Sequence, residues 1–360
     1  MENTIEVKRL ESAKEFEALQ ENWSQLLSQS GIEDVFLTWE WLFAWWKAFG
    51  DNYELWLLTV RENGVLIGIA PLMLSTHQKL FLKLRVLLSI GTPQCDVSGI
   101  IATKNELVTS SIHQYIMQHK NKWDIFEMKA LPKNAYEADA LPEMFLKAGG
   151  YRTTQKDDEH YYVPIDGDWD TYFKKLSKNL RRNLKRRLRR AEEQGTVTHK
   201  KYSGQNLKWD HFLTLFYINE RGSYPNLYKS KENRAFHQSL YNLMNKNDWI
   251  HIEMLYVDDE PVAFQYGYIF NNRYQDWRGG YDAKYEALGT GKILMMFSIK
   301  EWFEQQIREV DFLRGTHDYK ADWQPLARDF IDLRVFRVQK LETLIAYIWL
   351  NSLKPFFKRN

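Results

Sequence analysis

The chain has 360 residues, long for a single hydrophobic core, so two domains of roughly 150–200 residues each are expected. Ordinary apolar content with 14 Trp and 20 Tyr describes a packed globular protein and excludes a disordered one. The net charge of +2 leaves any affinity for nucleic acid or membrane to local patches, and the single cysteine, Cys95, excludes internal disulfides and cysteine-based zinc sites.

The first residues, MENTIEVKRLESAKEF, lack the apolar core of a signal peptide, and no run approaches the ~20 apolar residues of a membrane span. A cytoplasmic protein is expected. Ile5–Arg9 reads as a short strand. Ser12-Ala13-Lys14-Glu15 has the form of a capping box and opens a helix to about Leu27. Thr38 caps a second helix through Trp46. Leu55–Val60 and Val65–Leu74 flank Glu62-Asn63-Gly64, the strongest hairpin signal in the chain. Leu84–Ile90 and Val97–Ala102 are β-rich, Leu107–Gln118 is helical, Asp124–Met128 is a strand, and Ala138–Ala148 is a helix. Tyr151–Thr154 and Tyr161–Ile165 follow as strands.

The second half repeats this order. Residues 168–194 and 207–246 read as helical, and Ile250–Val257 with Pro261–Phe270 form a hairpin around Asp258-Asp259-Glu260. Tyr274–Tyr281 is a strand, Ile293–Ile307 an amphipathic helix, Val310–Leu313 a buried strand ending at Arg314-Gly315, and Ile331–Val338 a last strand. The two hairpins match by eye, LLTVRENGVLIGIAPL against MLYVDDEPVAFQYGYI. A period of about 190 residues describes a duplicated domain, not a solenoid.

Between the strand and helix of the second copy lies Leu288-Gly289-Thr290-Gly291-Lys292. The first N–H groups of a helix have no internal partner and carry partial positive charge, which suits a phosphate or pyrophosphate. Gly289 and Gly291 permit close approach, and Lys292 adds a formal charge. A tight turn alone would also explain an isolated Gly-x-Gly. Neither GxxxxGK[ST] nor a GxGxxG followed by a spaced acid is present. In the first copy the corresponding helix starts at Ala102-Thr103-Lys104-Asn105, without glycine.

Glu286-Ala287-Leu288-Gly289-Thr290-Gly291 resembles the pyrophosphate loop of GNAT-type N-acetyltransferases, with Glu286 where that family places Gln or Arg. The chain as a whole resembles the tandem-GNAT proteins of the FemAB-like and CelD-like group, associated with cellulose and exopolysaccharide loci. The resemblance rests on Phe36–Trp41 with Trp45-Trp46, Pro71-Leu72, Leu176–Arg190, Tyr281-Asp282, Asp311–Gly315, Tyr319-Lys320 and Trp323. It implies an α+β fold of two tandem GNAT domains, each a mixed, mainly antiparallel sheet flanked by helices. Residues 1–165 would be the acceptor-side domain, 166–340 the domain with the phosphate loop, and 341–360 a terminal helix. The CelD-like branch implies an acyl-CoA donor and direct transfer to an amine or hydroxyl of a glycan or other cell-envelope acceptor. The FemAB branch implies an aminoacyl-tRNA donor and a peptidoglycan precursor. The glycine loop favours CoA, because a polyphosphate needs that cradle and a tRNA ester does not. A third reading is a non-catalytic tandem module.

Residues 174–190 hold ten Lys and Arg and no acid, with Leu176, Leu180, Leu184 and Leu188 at every fourth position. A helix solvated and neutralised by neighbouring acids, a site for an anionic ligand through residues such as Arg182 and Arg186, and a polybasic contact with lipid at the inner membrane face all fit. No DNA-binding signature frames the patch.

Direct acyl transfer needs a base for the acceptor and an acid for the thiolate. Asp282 is a candidate base if buried, Tyr319 a candidate acid, and Lys320 and Arg314 candidates for the oxyanion or for acceptor anions. Arg278 and Trp41 are candidate acceptor contacts, and the resemblance places Asp96 near the acceptor. Nine His fall in no HxxxH or HxH pair, so no metal is expected. Ser177 and Ser298 lack a GxSxG elbow, and Asp96 beside Cys95 disfavours a thiolate. The last helix, Leu341–Leu353, reads as a docked terminal helix.

Overall fold

The computed structural model describes residues 4–79, 82–222, 228–315 and 318–350. The chain divides into two compact units, residues 1–158 with 329–360, and residues 159–328. The second unit therefore ends at Arg328, not at residue 340, because the strand that follows returns to pair inside the first unit.

The first unit begins with β1 (Ile5–Leu10), α1 (Ala13–Glu17), α2 (Gln20–Ser30) and α3 (Trp39–Phe49). Both expected caps are present. The Ser12 hydroxyl accepts from Glu15 N–H while the Glu15 carboxylate accepts from Glu11 N–H, and Thr38 Oγ1 accepts from Trp41 N–H. Next come β2 (Glu54–Leu55), β3 (Leu57–Glu62), β4 (Val65–Ala70), β5 (Leu72–Lys79), β6 (Leu82–Ser89) and β7 (Ile101–Ala102). The β3–β4 hairpin turns at Asn63-Gly64, both with positive φ, 50° and 83°.

The expected single strand Val65–Leu74 is two. Pro71 has no N–H to continue a ladder, and the chain leaves a β1-β3-β4-β7 sheet there to start β5 in another. Most of Val97–Ala102 is likewise not strand. Only Ile101–Ala102 pairs, because Ser98 N–H and Oγ donate to the Ala130 and Lys129 carbonyls instead.

α4 (Asn105–Gln118) crosses over to β8 (Ile125–Pro132), and α5 (Tyr136–Lys147) leads to β9 (Tyr151–Pro164). β6 and β8 pair in parallel at Val86–Leu88 against Ile125–Glu127, as the helical crossover requires. One face of this sheet packs under α4 and α5 around Leu87, Phe126, Leu333, Trp123 and Phe145.

The second unit opens with α6 (Trp169–Lys175) and α7 (Lys178–Glu192). The expected continuous helix is broken at Leu176-Ser177, where Leu176 is extended and Ser177 Oγ caps Leu180 N–H. The expected 207–246 helix is similarly two, α8 (Trp209–Glu220) and α9 (Lys231–Met244), after β10 (Val197–Ser203). β11 (Ile250–Val257), β12 (Glu260–Phe270) and β13 (Arg273–Tyr281) form an antiparallel meander. α10 (Thr290–Glu304) crosses over to β14 (Glu309–Arg314), which runs parallel to β13 and antiparallel to the end of β9. α11 (Asp318–Ala321) precedes β15 (Leu326–Arg337), whose later part pairs with β8 in the first unit, and α12 (Leu341–Ile348) closes the described chain.

α7 shows why a basic helix holds. Like charges four apart cost a few tenths of a kcal/mol per pair. Burying Leu180 and Leu184 against α10 is worth about 1.5–3 kcal/mol each, so burial wins.

Candidate functional site

In the second unit β13 and β14 stay paired only from Arg273↔Glu309 to Gln275↔Asp311. Beyond that both strands change course. β13 bulges, with Asp276 and Trp277 opposing the single Gly267 of β12. Gly267 is required there, since a Cβ would stand 2.2 Å from the Gln275 carbonyl oxygen. β14 turns through Leu313, which has φ of 56°, and its register with β9 shifts between Asp311 and Arg314. The parallel pair therefore opens into a split at Asp276.

Asp276 is the centre of a group of polar side chains at this split. Asp276 is partly covered, and burial pushes its carboxyl up to about 7, with the charges of Glu253 and Asp311 adding to the shift and Lys320 opposing it. One carboxyl oxygen accepts from Gln265 Nε2 at 3.4 Å. The other is fully enclosed and has no hydrogen-bond partner, as are Gln265 Oε1 and the Tyr274 hydroxyl. Glu253 is fixed by Ser298 Oγ at 2.8 Å and His199 Nε2 at 2.6 Å, so its carboxyl is held in one orientation. Lys320 is 2 % exposed and its ammonium donates to the Leu313 and Arg314 carbonyls at 3.2 and 2.8 Å. It bridges the free edge of β14. Asp311 accepts from Leu313 N–H and pairs with Arg273 and Arg328.

The glycine turn lies at the start of the crossover helix. Gly289 has φ of 66° and is the N-cap of α10, ending the short turn that contains Glu286. Glu286 points outward and is exposed. A Cβ on Gly289 would lie 2.0 Å from Arg187 Nη1, so a guanidinium of α7 covers the turn. Arg187 is steadied by Nε donating to Asn183 Oδ1. The N–H groups of Thr290 and Gly291, in the first helical turn, have no carbonyl one turn back within α10 to accept them. Leu288 and Thr290 are buried, and Lys292 ion-pairs with Asp322 at 2.6 Å. A helix start, a guanidinium and a half-exposed lysine form a cradle with the chemistry of a diphosphate site.

The remaining expected residues divide by place. Asp282 is buried but already engaged: it caps the turn through Lys284 N–H at 2.8 Å and pairs with Arg221 at 2.7 Å. Tyr319, 37 % exposed, precedes Lys320 on α11. Arg278 lies over the Trp277 ring at 4.3 Å, and its charge adds to the burial that pushes His237 down to about 3. Arg314 ends β14 opposite His160. Arg182 and Arg186 lie on the exposed face of α7, and the one ion pair described on that helix is Arg189 with Glu193.

Trp41 and Asp96 belong to the first unit. Trp41 is fully buried against Phe36 and Gly91. Asp96 sits in a loop, where its charge and that of Asp34 reinforce the burial that raises the Cys95 thiol. Asp276 and Arg187 were not singled out in the sequence. The bulge that aims Asp276 left one trace, a glycine inside the strand opposite.

An acetyltransferase (GNAT) domain family matches residues 178–321, which span both the cradle and the split. No curated protein matches the chain. Among solved structures, FemX is similar at 11% identity, covering 91% of this chain and 96% of that one with a TM-score of 0.57. The C-terminal domain of a lysylphosphatidylglycerol synthetase from Agrobacterium fabrum is similar at 12% identity, covering 94% and 97% with a TM-score of 0.55. A tandem GNAT protein from the clavulanic acid biosynthesis pathway is similar at 10% identity, covering 92% and 98% with a TM-score of 0.52. The fold is thus mixed α+β of tandem-GNAT type, as expected.

Proposed function

We propose that the chain is an acyltransferase that moves an acyl group from acyl-CoA to an amine or hydroxyl by direct transfer at the split of the second unit. The observation that carries this is Asp276, an enclosed carboxyl held near neutrality where β13 and β14 part. Its position at a bulge, with an unpartnered oxygen, suits a base more than a structural role. Asp276 takes the acceptor proton as the nitrogen or oxygen attacks the thioester carbonyl. The new C–N or C–O bond forms, the C–S bond breaks, and Tyr319 returns a proton to the departing thiolate. The Lys320 ammonium, held on the Leu313 and Arg314 carbonyls, supplies positive charge toward the developing oxyanion. Gly289, Gly291, Arg187 and Lys292 hold the diphosphate of the donor. The motifs shared with CelD-like proteins favour an acceptor of the cell envelope or an exopolysaccharide.

Aminoacyl-tRNA is the second reading for the donor. It is favoured by Lys178, Arg182, Lys185 and Arg186, exposed along α7 in greater number than one CoA would occupy. Thermal shift separates the two. Acetyl-CoA at ~100 times its dissociation constant should stabilise the chain by about 2.7 kcal/mol. Protection by tRNA alone, with steep salt dependence, would overturn the CoA reading.

A further inference from the structure

α7 carries its charge on one side. At about 100° per residue, Lys178, Arg182, Lys185 and Arg189 fall within about 60° of arc, with Arg186 at the margin. All five are exposed. Leu180, Leu184 and Ala191 centre on the opposite side and are buried, the helix lying against α10. The cations therefore form a ridge that points away from the core of the second unit, over about 16 Å of helix. Lys174 and Lys175, exposed at the end of α6, continue the run with no change of sign. Among the described residues only Arg189 of the ridge has an acidic partner, Glu193 at 3.5 Å, and both of those groups are largely in water. Like charges at a spacing of four destabilise the helix, and no acid of the fold offsets those at Lys178, Arg182, Lys185 and Arg186.

We infer that this ridge of α7 docks on an anionic lipid surface. Charge complementarity sets the sign of the partner, and shape and composition set its class. A site for single-stranded nucleic acid joins its cations to a groove for the backbone and to exposed rings on which bases stack. The ridge is the outward side of one helix, and none of the exposed large apolar or aromatic side chains described lies on α6 or α7. A layer of phosphate headgroups needs neither groove nor rings, only cations that reach one plane together. With no large apolar side chain to insert, attraction is electrostatic, and each Lys or Arg brought to the surface should strengthen binding by roughly fivefold. Asp276 and Gly289 take no part in it, so a chain inactive as a transferase would still bind. A tRNA would compete for the same ridge, and the two occupants separate by experiment.

The test is flotation of the full chain with vesicles. Vesicles of phosphatidylglycerol mixed with phosphatidylcholine should carry the protein up the gradient, and vesicles of phosphatidylcholine alone should carry at least about tenfold less. Salt at about 1 M, where the Debye length is ~3 Å, should release it. Arg182→Glu with Lys185→Glu should lower the partition coefficient on anionic vesicles by at least about tenfold. Both side chains are exposed, so the melting curve should be kept. If that pair misfolds, Arg182→Gln with Lys185→Gln relieves repulsion on the helix and should still weaken binding severalfold. Lys231→Glu with Lys246→Glu, exposed at the two ends of α9, changes the net charge equally and should leave binding within about twofold. α9 lies across the sheet from α10: its His237 meets Tyr266 on one face, while Glu253, opposite Gln265, meets Ser298 on the other. No binding to anionic vesicles overturns the inference, as does equal binding by the α7 variants or an equal loss in the α9 variant. Binding of tRNA but not of vesicles, abolished by the α7 changes, assigns the ridge to nucleic acid and overturns it too.

Discussion

Each unit contains one parallel strand pair among the described pairings, and the two pairs have been treated oppositely. In the second unit β13 and β14 part at Asp276, and what reaches the free edge of β14 is a side chain, the Lys320 ammonium on the Leu313 and Arg314 carbonyls. In the first unit β6 and β8 part after Leu88 and Glu127, and main chain fills the place. Ser98 N–H donates to the Ala130 carbonyl at 3.0 Å, its hydroxyl to Lys129, and Ile100 N–H to a buried Glu137 carboxylate at 2.8 Å. Even the strand twist recurs, with Ala130 at φ of 50° and Leu313 at 56°. The helices differ in the same sense. α10 starts on Gly289 under a guanidinium, whereas α4 starts beside Lys104, which pairs with Glu62. A split stitched by backbone is a structural element. The other is bridged by the Lys320 ammonium beside a carboxyl oxygen without a partner, and that is where we place the proposed chemistry.

The sharpest way to break this comparison is Asp276→Asn. As the base, Asp276 should contribute about 10²–10⁴ in kcat/KM, read from initial rates with acetyl-CoA and a trial amine. The wild-type rate should rise with pH through about 7, and the variant should lose that limb. Stability moves the other way. A carboxyl raised from 3.8 to about 7 by burial supports the fold in its protonated form, so its contribution is complete below 3.8 and is lost as pH rises through 7. The variant should therefore melt higher than wild type at pH 8 and the two should converge toward pH 4. A flat pH–rate profile with unchanged activity would reduce Asp276 to a packing residue.

Gly289→Ala ranks next. The added Cβ meets Arg187 Nη1 and the backbone is held at positive φ, so the fold should lose about 1 kcal/mol while acetyl-CoA protection in thermal shift disappears. The matching change in the first unit, Ser98→Ala, removes the Oγ bond to Lys129 and should cost about 1–3 kcal/mol by chemical denaturation. It should leave donor binding untouched. Loss of donor binding in Ser98→Ala would mean the first split is also functional.

The duplication and the glycine turn were legible because they are local: hairpins with Asn63-Gly64 and Asp258-Asp259 turns, and Gly289 where a helix begins. The α+β class followed from their order. Asp276 was not legible, because a bulge is a property of two strands, and Tyr274–Tyr281 alone reads as regular strand. Asp282 drew attention in its place by lying just past the glycines, and the structure shows it committed to Lys284 N–H and Arg221. Arg187 was hidden within a run of ten basic residues, since only packing against α10 separates the one arginine on the turn from those facing outward. The breaks at Pro71, Ser177 and Ser230 were written in a residue without an N–H and in two serine caps, but apolar periodicity running through each one concealed them.

The smallest expected effect divides the two donor readings. Arg182 and Arg186 are exposed and four apart on α7, with like charges on either side, so Arg182→Gln with Arg186→Gln should raise stability by a few tenths of a kcal/mol. For acetyl-CoA held by Arg187 and the start of α10, affinity by calorimetry should change no more than about twofold, because both guanidiniums are solvent-exposed and their charges are screened by water and salt. For tRNA the same pair would count among the phosphate contacts, and the slope of log affinity against log salt should fall by about 2. A fall in that slope with acetyl-CoA affinity untouched would move the donor from thioester to nucleic acid while leaving Asp276, and the split it stands in, where they are.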